Sequence, residues 1–379
     1  MNLKKIAIVQ LCYADYEALE IALAAYTKLT NPNVHIYLLQ NGRGTYDTER
    51  TYRVCLRYQK MFPKQITVVD WIQPGVPFVS IKTLLESDEM KSYDYICKVD
   101  DDVFPLTSDW LEKLIACYEN SYRKYGRKLG YVTSLVNNNP WGFKQVVEAM
   151  GLDGEFQKIS VAHYIGVKND NDSLKYRFVE KGRIHPGGGG SVWALPFYAR
   201  WIHNQTTLHP EDYVRAVQKL PYREVDNRER YSINCMLFKK SFWTDINIGH
   251  MDDEYQTYSY CRKNNKKIVA DLSVPMVHIC FFTQREENRD LLPQMRLAYE
   301  RFLKLPFPIA MCPLKEYENE NRLRWLENRL SQVESGIVRI EQMQPGKKSF
   351  LKYLFFRMLY CATLGKVKQK YKKKYKSYK

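Results

Sequence analysis

The chain has 379 residues, of which 45% are hydrophobic and 14% aromatic, so it can bury one large core or two smaller ones. It contains no apolar stretch of about 18 or more residues, which excludes a predicted membrane-spanning helix. The net charge is +16, but residues 346–379 contain eleven Lys, one Arg and no acidic residue, which is +12 and leaves +4 for the rest. The excess positive charge therefore belongs to the C-terminal tail.

The N-terminus and the cysteines indicate a cytoplasmic protein. Residues 1–5 run directly into a strand-like apolar segment and lack the long apolar region and cleavage site of a signal peptide. Nine cysteines are scattered singly between Cys12 and Cys361, without a CxxC pair. Such an unpatterned, odd-numbered set is typical of reduced core thiols rather than of disulfides or a zinc site.

The first hundred residues alternate between strand-like and helix-like segments, which predicts parallel βαβ units in an α/β fold. The predicted sheet is of the nucleotide-binding type with flanking helices, although neither a GxGxxG fingerprint nor a P-loop is present. The predicted strands are residues 6–11, 34–39, 66–71 and 95–99, and the predicted helices are residues 16–29, 48–61 and 79–87.

Three consecutive aspartates, Asp100, Asp101 and Asp102, follow the fourth predicted strand. Adjacent carboxylates repel one another, and a divalent cation such as Mg²⁺ or Mn²⁺ removes that repulsion through carboxylate and phosphate oxygens. In an open α/β sheet, ligands bind outside the carboxyl ends of the strands. Acidic triplets also occur in surface turns and helix caps. The triplet by itself is thus compatible with a metal-diphosphate site or with a turn.

A run of four glycines at residues 187–190 precedes Ser191, Val192 and Trp193. Glycines allow another molecule to approach the backbone closely, and they also form flexible loops or bulges. Further on, Asp252, Asp253 and Glu254 open a predicted helix, where acidic residues are favourable in any case. His278 follows an apolar strand at residues 268–272; a lone histidine of this kind is structural or a metal ligand.

In this order, the motifs resemble those of family 2 glycosyltransferases with the GT-A fold. The resemblance runs from about Lys4 to Arg285. Its segments are Cys12-Tyr13-Ala14-Asp15, Gln40-Asn41-Gly42, Asp100-Asp101-Asp102-Val103-Phe104-Pro105, Ser191-Val192-Trp193, Asp252-Asp253-Glu254 and His278.

The resemblance implies an inverting, metal-dependent enzyme that uses Mn²⁺ or Mg²⁺. Asp100 and Asp102 would hold the ribose and the metal of a nucleotide diphosphate, with His278 completing the metal shell. The general base would be Asp252 or Asp253, and Asp253 is the better match. The remaining implied contacts are Cys12, Tyr13, Asp15, Gln40, Asn41, Lys82 and Asp101 for the donor, and Gly189, Gly190, Ser191 and Trp193 for the acceptor.

Two departures from the family pattern bear on the substrate. Gln40 stands where the second-strand turn often carries an acidic residue, so uracil recognition at that turn is left open. The Gln-x-x-Arg-Trp motif of processive synthases is absent, since the nearest string, at residues 284–287, lacks the tryptophan. The expected reaction is therefore transfer of one sugar rather than polymer growth. The sugar would pass from a nucleotide-sugar such as a UDP-sugar to a glycan or lipid-linked glycan acceptor in cell-surface polysaccharide or lipopolysaccharide biosynthesis.

Two other functions are compatible with parts of the sequence. A sugar nucleotidyltransferase also uses metal-binding carboxylates on an α/β sheet, but it needs a glycine- and basic-rich first loop that residues 12–16 do not provide. A non-enzymatic membrane-bound adaptor would use only the C-terminal segments. The adaptor predicts no loss of function when Asp102 or Asp253 is replaced.

The C-terminal segments predict a helical extension at residues 286–345 after a catalytic domain at residues 1–285. Its apolar positions follow a heptad seam that would mediate homo-oligomerisation or pack on the catalytic domain. Gly336 costs about 1 kcal/mol in such a helix. The seam consists of Leu323, Leu326, Leu330, Val333, Ile337 and Ile340.

The tail at residues 346–379 combines an apolar part, residues 350–364, with a Lys- and Tyr-rich part, residues 366–379. This composition is typical of a segment that lies on an anionic membrane surface, although a disordered tail without a partner has the same composition. No nucleic-acid-binding module accompanies it, so nucleic acid is not expected as a partner. The predicted location is the cytoplasm, peripheral on the inner face of the cell membrane.

Overall fold

We analysed a computed structural model of the chain, which describes residues 5–138, 142–159, 163–168, 174–180, 183–184, 196–225, 233–247, 253–279 and 288–305. Several sequence predictions lie outside these residues: Asp252, the acceptor-binding residues 189–193, the seam at residues 323–340 and the tail. Among the described residues, no helix has the length and apolar character needed to span a membrane.

The described residues contain one large mixed sheet and one small antiparallel sheet. The strands are β1 (Ile6–Cys12), β2 (His35–Gln40), β3 (Ile66–Val69), β4 (Tyr95–Asp100), β5 (Val103–Pro105), β6 (Leu129–Val136), β7 (His163–Lys168), β8 (Leu174–Glu180), β9 (Arg183–Ile184), β10 (Tyr222–Val225), β11 (Cys235–Lys239) and β12 (Lys267–His278).

The large sheet has the order β10-β12-β6-β11-β4-β1-β2-β3, and β5 pairs with β12 at its side. Strands β4, β1, β2 and β3 run parallel, whereas β11 is antiparallel to both β4 and β6. The small sheet consists of β7, β8 and β9. Because β4, β1 and β2 are parallel neighbours, their carboxyl ends meet at one edge of the sheet.

The helices cover the large sheet and close its core. They are α1 (Tyr16–Leu29), α2 (Tyr46–Met61), α3 (Pro77–Glu86), α4 (Trp110–Tyr125), α5 (Gly142–Ala149), α6 (Asp153–Ile159), α7 (Pro196–Gln205), α8 (Pro210–Val217), α9 (Lys240–Thr244), α10 (Asp253–Lys263) and α11 (Leu292–Leu303).

The burial of strand β1 shows that the large sheet lies in the middle of the hydrophobic core. Its first residues, Ile6, Ala7, Ile8 and Val9, are completely buried, as expected for a parallel strand that is covered on both faces. A mixed α/β architecture with a central sheet and flanking helices confirms the predicted fold class.

Helix α11 lies in the segment that the sequence assigns to the helical extension, and it packs on the core of the large sheet. The ring of Tyr299 meets that of Phe104 edge to face, with 4.8 Å between the ring centroids. The buried Glu20 of α1 binds Arg57 of α2 at 2.7 Å and Arg296 of α11 at 3.3 Å. This ion cluster joins three helices, while the predicted domain boundary at residue 285 stays a prediction.

Candidate active site

The acidic triplet lies at the carboxyl edge of the parallel strands. Leu11 pairs with Asp100, and Cys12 pairs with Gln40, so the ends of β4, β1 and β2 lie side by side. The backbone N–H of Tyr13 donates a hydrogen bond to Oδ2 of Asp101 at 2.9 Å. The loop after β1 is therefore held directly against the triplet.

Asp100 is held by two side chains. Its Oδ1 accepts from Nζ of Lys98 at 2.5 Å, and its Oδ2 accepts from Nδ2 of Asn234 at 2.9 Å. Lys98 is fully buried, whereas the side chain of Asp100 keeps 24% of its surface exposed. Asp100 thus has a compensated charge, a defined orientation and one face open to a ligand.

Asp101 is buried between the other two carboxylates of the triplet in the sequence. Its Oδ2 accepts the hydrogen bond from the Tyr13 backbone N–H. Burial, followed by the charges of Asp102 and Asp15, raises the pKa of Asp101 well above its ordinary value. A nearby cation would counteract this repulsion, as the sequence pattern predicts.

Asp102 forms a buried pair with His278. Oδ2 of Asp102 lies 3.1 Å from Nε2 of His278, and the backbone carbonyl of Asp102 accepts from the N–H of Ile279 at 3.0 Å. Burial lowers the pKa of His278, but the carboxylate of Asp102 outweighs burial and raises this pKa to about 9. Two residues 176 positions apart, which the sequence predicts as metal ligands, therefore meet in the structure.

Further polar residues fix the imidazole of His278. Its Nδ1 faces the carbonyl oxygen of Asn138 at 3.4 Å, which leaves Nε2 towards Asp102. The side chain of Asn138 contacts Nε2 of His203 at 3.3 Å, and Nδ1 of His203 contacts Oγ1 of Thr207 at 2.8 Å. Burial and the positive charge of His278 lower the pKa of His203 to about 3, so His203 is neutral. Orientation of a ligand histidine through its second nitrogen is common at metal sites.

The turn after β2 is packed tightly against the loop after β1. The side chain of Asn41 bonds both backbone groups of Gly75 and accepts from Ser80, while Gln40 donates to the carbonyl of Gly42 at 2.7 Å. A Cβ atom at Gly42 would lie 2.9 Å from the carbonyl oxygen of Tyr13. Gly42 therefore permits the close approach of the two loops.

Four residues that the sequence predicts as donor contacts differ in their exposure and bonding near the carboxyl edge of the sheet. The ring of Tyr13 is 51% exposed there, and Asp15 is buried at the N-cap position of α1. The thiol of Cys12 is buried, so its backbone is the part near the edge. The ammonium of Lys82 donates to the carbonyl of Thr244 at 2.8 Å. Donor binding by these residues stays a prediction.

Asp253 begins helix α10. Its Oδ1 accepts from the backbone N–H of Glu254 at 3.0 Å. After the charge of Asp100, the negative charge of Asp253 is the next influence that raises the pKa of Lys98 against burial. The role of Asp253 as a base stays a prediction.

Sequence reasoning missed the residues that support the acidic edge. These are Lys98, Asn137, Asn138, His203 and Asn234. The sequence did contain a signal for Lys98. This lysine lies inside an apolar strand, two residues before Asp100, and side chains two residues apart in a strand lie on the same face. The sequence contained no such signal for the two asparagines after β6, for His203 or for Asn234, because their partners lie far away in the chain.

The donor set fits a cation that is shared with a substrate. Within the described part of the chain, no group of three or more His, Cys, Asp or Glu side chains forms a metal cage. Asp102 and His278 nevertheless present one oxygen and one nitrogen within 3.1 Å of each other. Mg²⁺ and Mn²⁺ are often held by one or two protein ligands together with substrate phosphates. Asp102 and His278 are thus suited to this role.

The fold and the site define a mixed α/β protein with a cluster of carboxylates at the carboxyl edge of its parallel strands. No protein-family model matches the sequence, and no curated protein matches it.

Comparison with solved structures finds similar chains at 11% identity. A mannosyltransferase from Pyrobaculum calidifontis in complex with GDP-Man and Mn²⁺ has a TM-score of 0.40 and covers 81% of this chain and 72% of its own. TarS from S. aureus has a TM-score of 0.35, covering 78% and 39%. The 4-diphosphocytidyl-2C-methyl-D-erythritol synthase from Anaerococcus prevotii has a TM-score of 0.37, covering 77% and 97%. Values this low assign neither a family nor a reaction.

Proposed function

We propose that this protein is a metal-dependent, inverting glycosyltransferase of family 2 with the GT-A fold. The observation that carries the proposal is the acidic edge: Asp100 ends β4, Asp101 and Asp102 follow it, and Oδ2 of Asp102 lies 3.1 Å from Nε2 of His278. Ligands of open α/β sheets bind at this edge. A carboxylate and a histidine that meet there suit a divalent cation shared with the diphosphate of a nucleotide-sugar.

In this proposal, the donor binds across the ends of β1, β2 and β4. Asp100 keeps an exposed face, with which it accepts a hydrogen bond from a ribose hydroxyl. Asp102 and His278 would hold the divalent cation on the diphosphate. When bound, this cation would neutralise the charge that develops on the departing diphosphate.

The acceptor step needs a general base on the opposite side of the anomeric carbon. Asp253 is the proposed base, because it begins α10 in the second acidic cluster, where the resemblance to family 2 glycosyltransferases implies the base. It would remove the proton from the acceptor hydroxyl, which then attacks the anomeric carbon directly. Direct attack inverts the configuration at that carbon.

The proposed donor is a UDP-sugar, and the proposed acceptor is a glycan or lipid-linked glycan of cell-surface polysaccharide or lipopolysaccharide. Transfer of a single sugar follows from the absence of the Gln-x-x-Arg-Trp motif. The acceptor contacts proposed at Gly189, Gly190, Ser191 and Trp193 lie outside the described residues.

A panel of nucleotide-sugars incubated with the protein and Mn²⁺ tests the proposed function. We expect release of a nucleoside diphosphate, most strongly from a UDP-sugar, because water replaces the missing acceptor. A nucleotidyltransferase would instead release pyrophosphate from a nucleoside triphosphate and a sugar phosphate. Absence of both products, together with absence of nucleotide binding, would favour the adaptor.

We propose further that residues 346–379 attach the protein to anionic membranes. Apolar burial and lipid attraction are each marginal alone, but two such signals together can hold a protein at a surface. The full chain should sediment with vesicles that contain anionic lipid, and high salt should weaken this binding because it screens the lysines. A chain ending at Pro345 is the matched control, and equal sedimentation of both chains would exclude the tail as the anchor.

A further inference from the structure

Lys98 is a buried cation in the middle of the acidic edge. Its side chain is 1% exposed, and its Nζ donates to Oδ1 of Asp100 at 2.5 Å and to the carbonyl of Ile233 at 3.1 Å. An ammonium group loses much favourable hydration when it is buried, so it persists there only with close counter-charges. Lys98 therefore needs the carboxylates that surround it.

Negative charges keep Lys98 protonated in spite of its burial. Burial lowers the pKa of Lys98, but the charges of Asp100, Asp253 and Glu254 outweigh burial and raise it. The carboxylate in direct contact with the ammonium is that of Asp100, which ends β4.

The hydrogen bonds of Asp100 show how the Lys98 ammonium fixes this carboxylate. Lys98 occupies Oδ1, Asn234 occupies Oδ2, and Gln10 donates to the Asp100 backbone carbonyl at 3.2 Å. The carboxylate can neither rotate without losing two bonds nor act as an uncompensated anion. Asp102 differs, because its counterpart is the histidine that would share the metal with it.

We propose that Lys98 is a positioning residue that holds Asp100 in the orientation for the donor. The inference rests on the proposed function, which assigns donor binding to Asp100. It adds that donor binding by Asp100 depends on a buried lysine that does not itself touch the donor.

A double-mutant cycle between Lys98→Met and Asp100→Asn tests whether Lys98 acts through Asp100. The probe is the dissociation constant of UDP, GDP or CDP with Mn²⁺, measured by calorimetry for the nucleotide that the wild type binds best. Each single variant should weaken binding about 10- to 100-fold, the range for losing a charge-assisted hydrogen bond. The double variant should match Asp100→Asn alone, because residues acting as a unit are not additive.

Turnover provides a second readout of the same role. In the Asp100→Asn background, Lys98→Met should leave both nucleotide affinity and kcat for donor hydrolysis unchanged, because Lys98 acts through Asp100. A merely structural lysine would lower the affinity or kcat in that background as well. This comparison does not require Lys98→Met to fold by itself, since the double variant buries one charge fewer on each side.

Lys240→Met is the matched control, because the Lys240 ammonium bonds the carbonyl of Met90 at 2.9 Å rather than a site carboxylate. It should leave nucleotide affinity and kcat unchanged. A further loss of affinity or of kcat in the double variant, relative to Asp100→Asn alone, overturns the positioning role of Lys98. A wild type that binds no nucleotide with Mn²⁺ refutes the proposed function, and the inference falls with it.

Discussion

Asp102→Asn should remove most nucleotide-dependent Mn²⁺ binding while the chain stays folded. The change deletes the charged oxygen that faces Nε2 of His278 at 3.1 Å, and an amide is a much weaker ligand for Mn²⁺ than a carboxylate. Donor hydrolysis should fall to background for the same reason. Titration of Mn²⁺ in the presence of the preferred nucleotide, followed by calorimetry or electron paramagnetic resonance, measures the loss directly.

The matched control for this change is Asp88→Asn. Asp88 is a surface carboxylate with 89% of its side chain exposed, paired with Lys91. It should bind Mn²⁺ and nucleotide as the wild type does. A chelator should abolish wild-type hydrolysis, and added Mn²⁺ or Mg²⁺ should restore it. Full activity in the chelator would contradict a metal-dependent mechanism, whatever the behaviour of Asp102→Asn.

Asp253→Asn should lower turnover by about 10²- to 10⁴-fold, the range expected for loss of a general base. Donor affinity should stay within a few-fold of the wild type, because Asp100 keeps its bonds to Lys98 and Asn234 and Asp102 keeps its contact with His278. An amide at the first position of α10 can still accept the hydrogen bond from the Glu254 backbone, so the helix should begin where it does now. Steady-state hydrolysis and nucleotide binding, measured separately, distinguish the two effects.

Two further variants locate the base. Asp245→Asn changes an exposed aspartate at the end of α9 and should leave turnover unchanged. If Asp252→Asn loses turnover and Asp253→Asn does not, the base is the neighbouring residue. Near-normal turnover in both would exclude a base at this helix and would favour a retaining mechanism or a different site.

Several element boundaries could be predicted from local patterns, and the deviations have local causes. The helix predicted from residue 48 begins at Tyr46 because Thr45 caps it, in a capping box with Thr48. The helix predicted from residue 79 begins at Pro77, a residue that suits the first turn. The polar stretch after residue 145, for which no element is predicted above, contains α6, β7 and β8. Its strands lack the apolar runs by which the others are recognised.

The position of the acidic triplet was also readable in the sequence, because a strand-like run ends directly at Asp100 and parallel strands place their ends at one edge. The partners of each carboxylate were not readable. Asn234 reaches Asp100 across 134 residues, and Asn138 reaches His278 across 140. No periodicity or spacing encodes contacts of this kind.

The sequence by itself determined the α/β class and the location of the carboxylates, because both depend on hydrophobic periodicity and on residues adjacent in the chain. The tertiary structure alone decided that Asp100 is compensated by Lys98, that Asp102 faces His278, and that the Lys82 ammonium binds the end of α9. Those outcomes depend on which strands become neighbours and on burial, which sets the strength of every charge in the site.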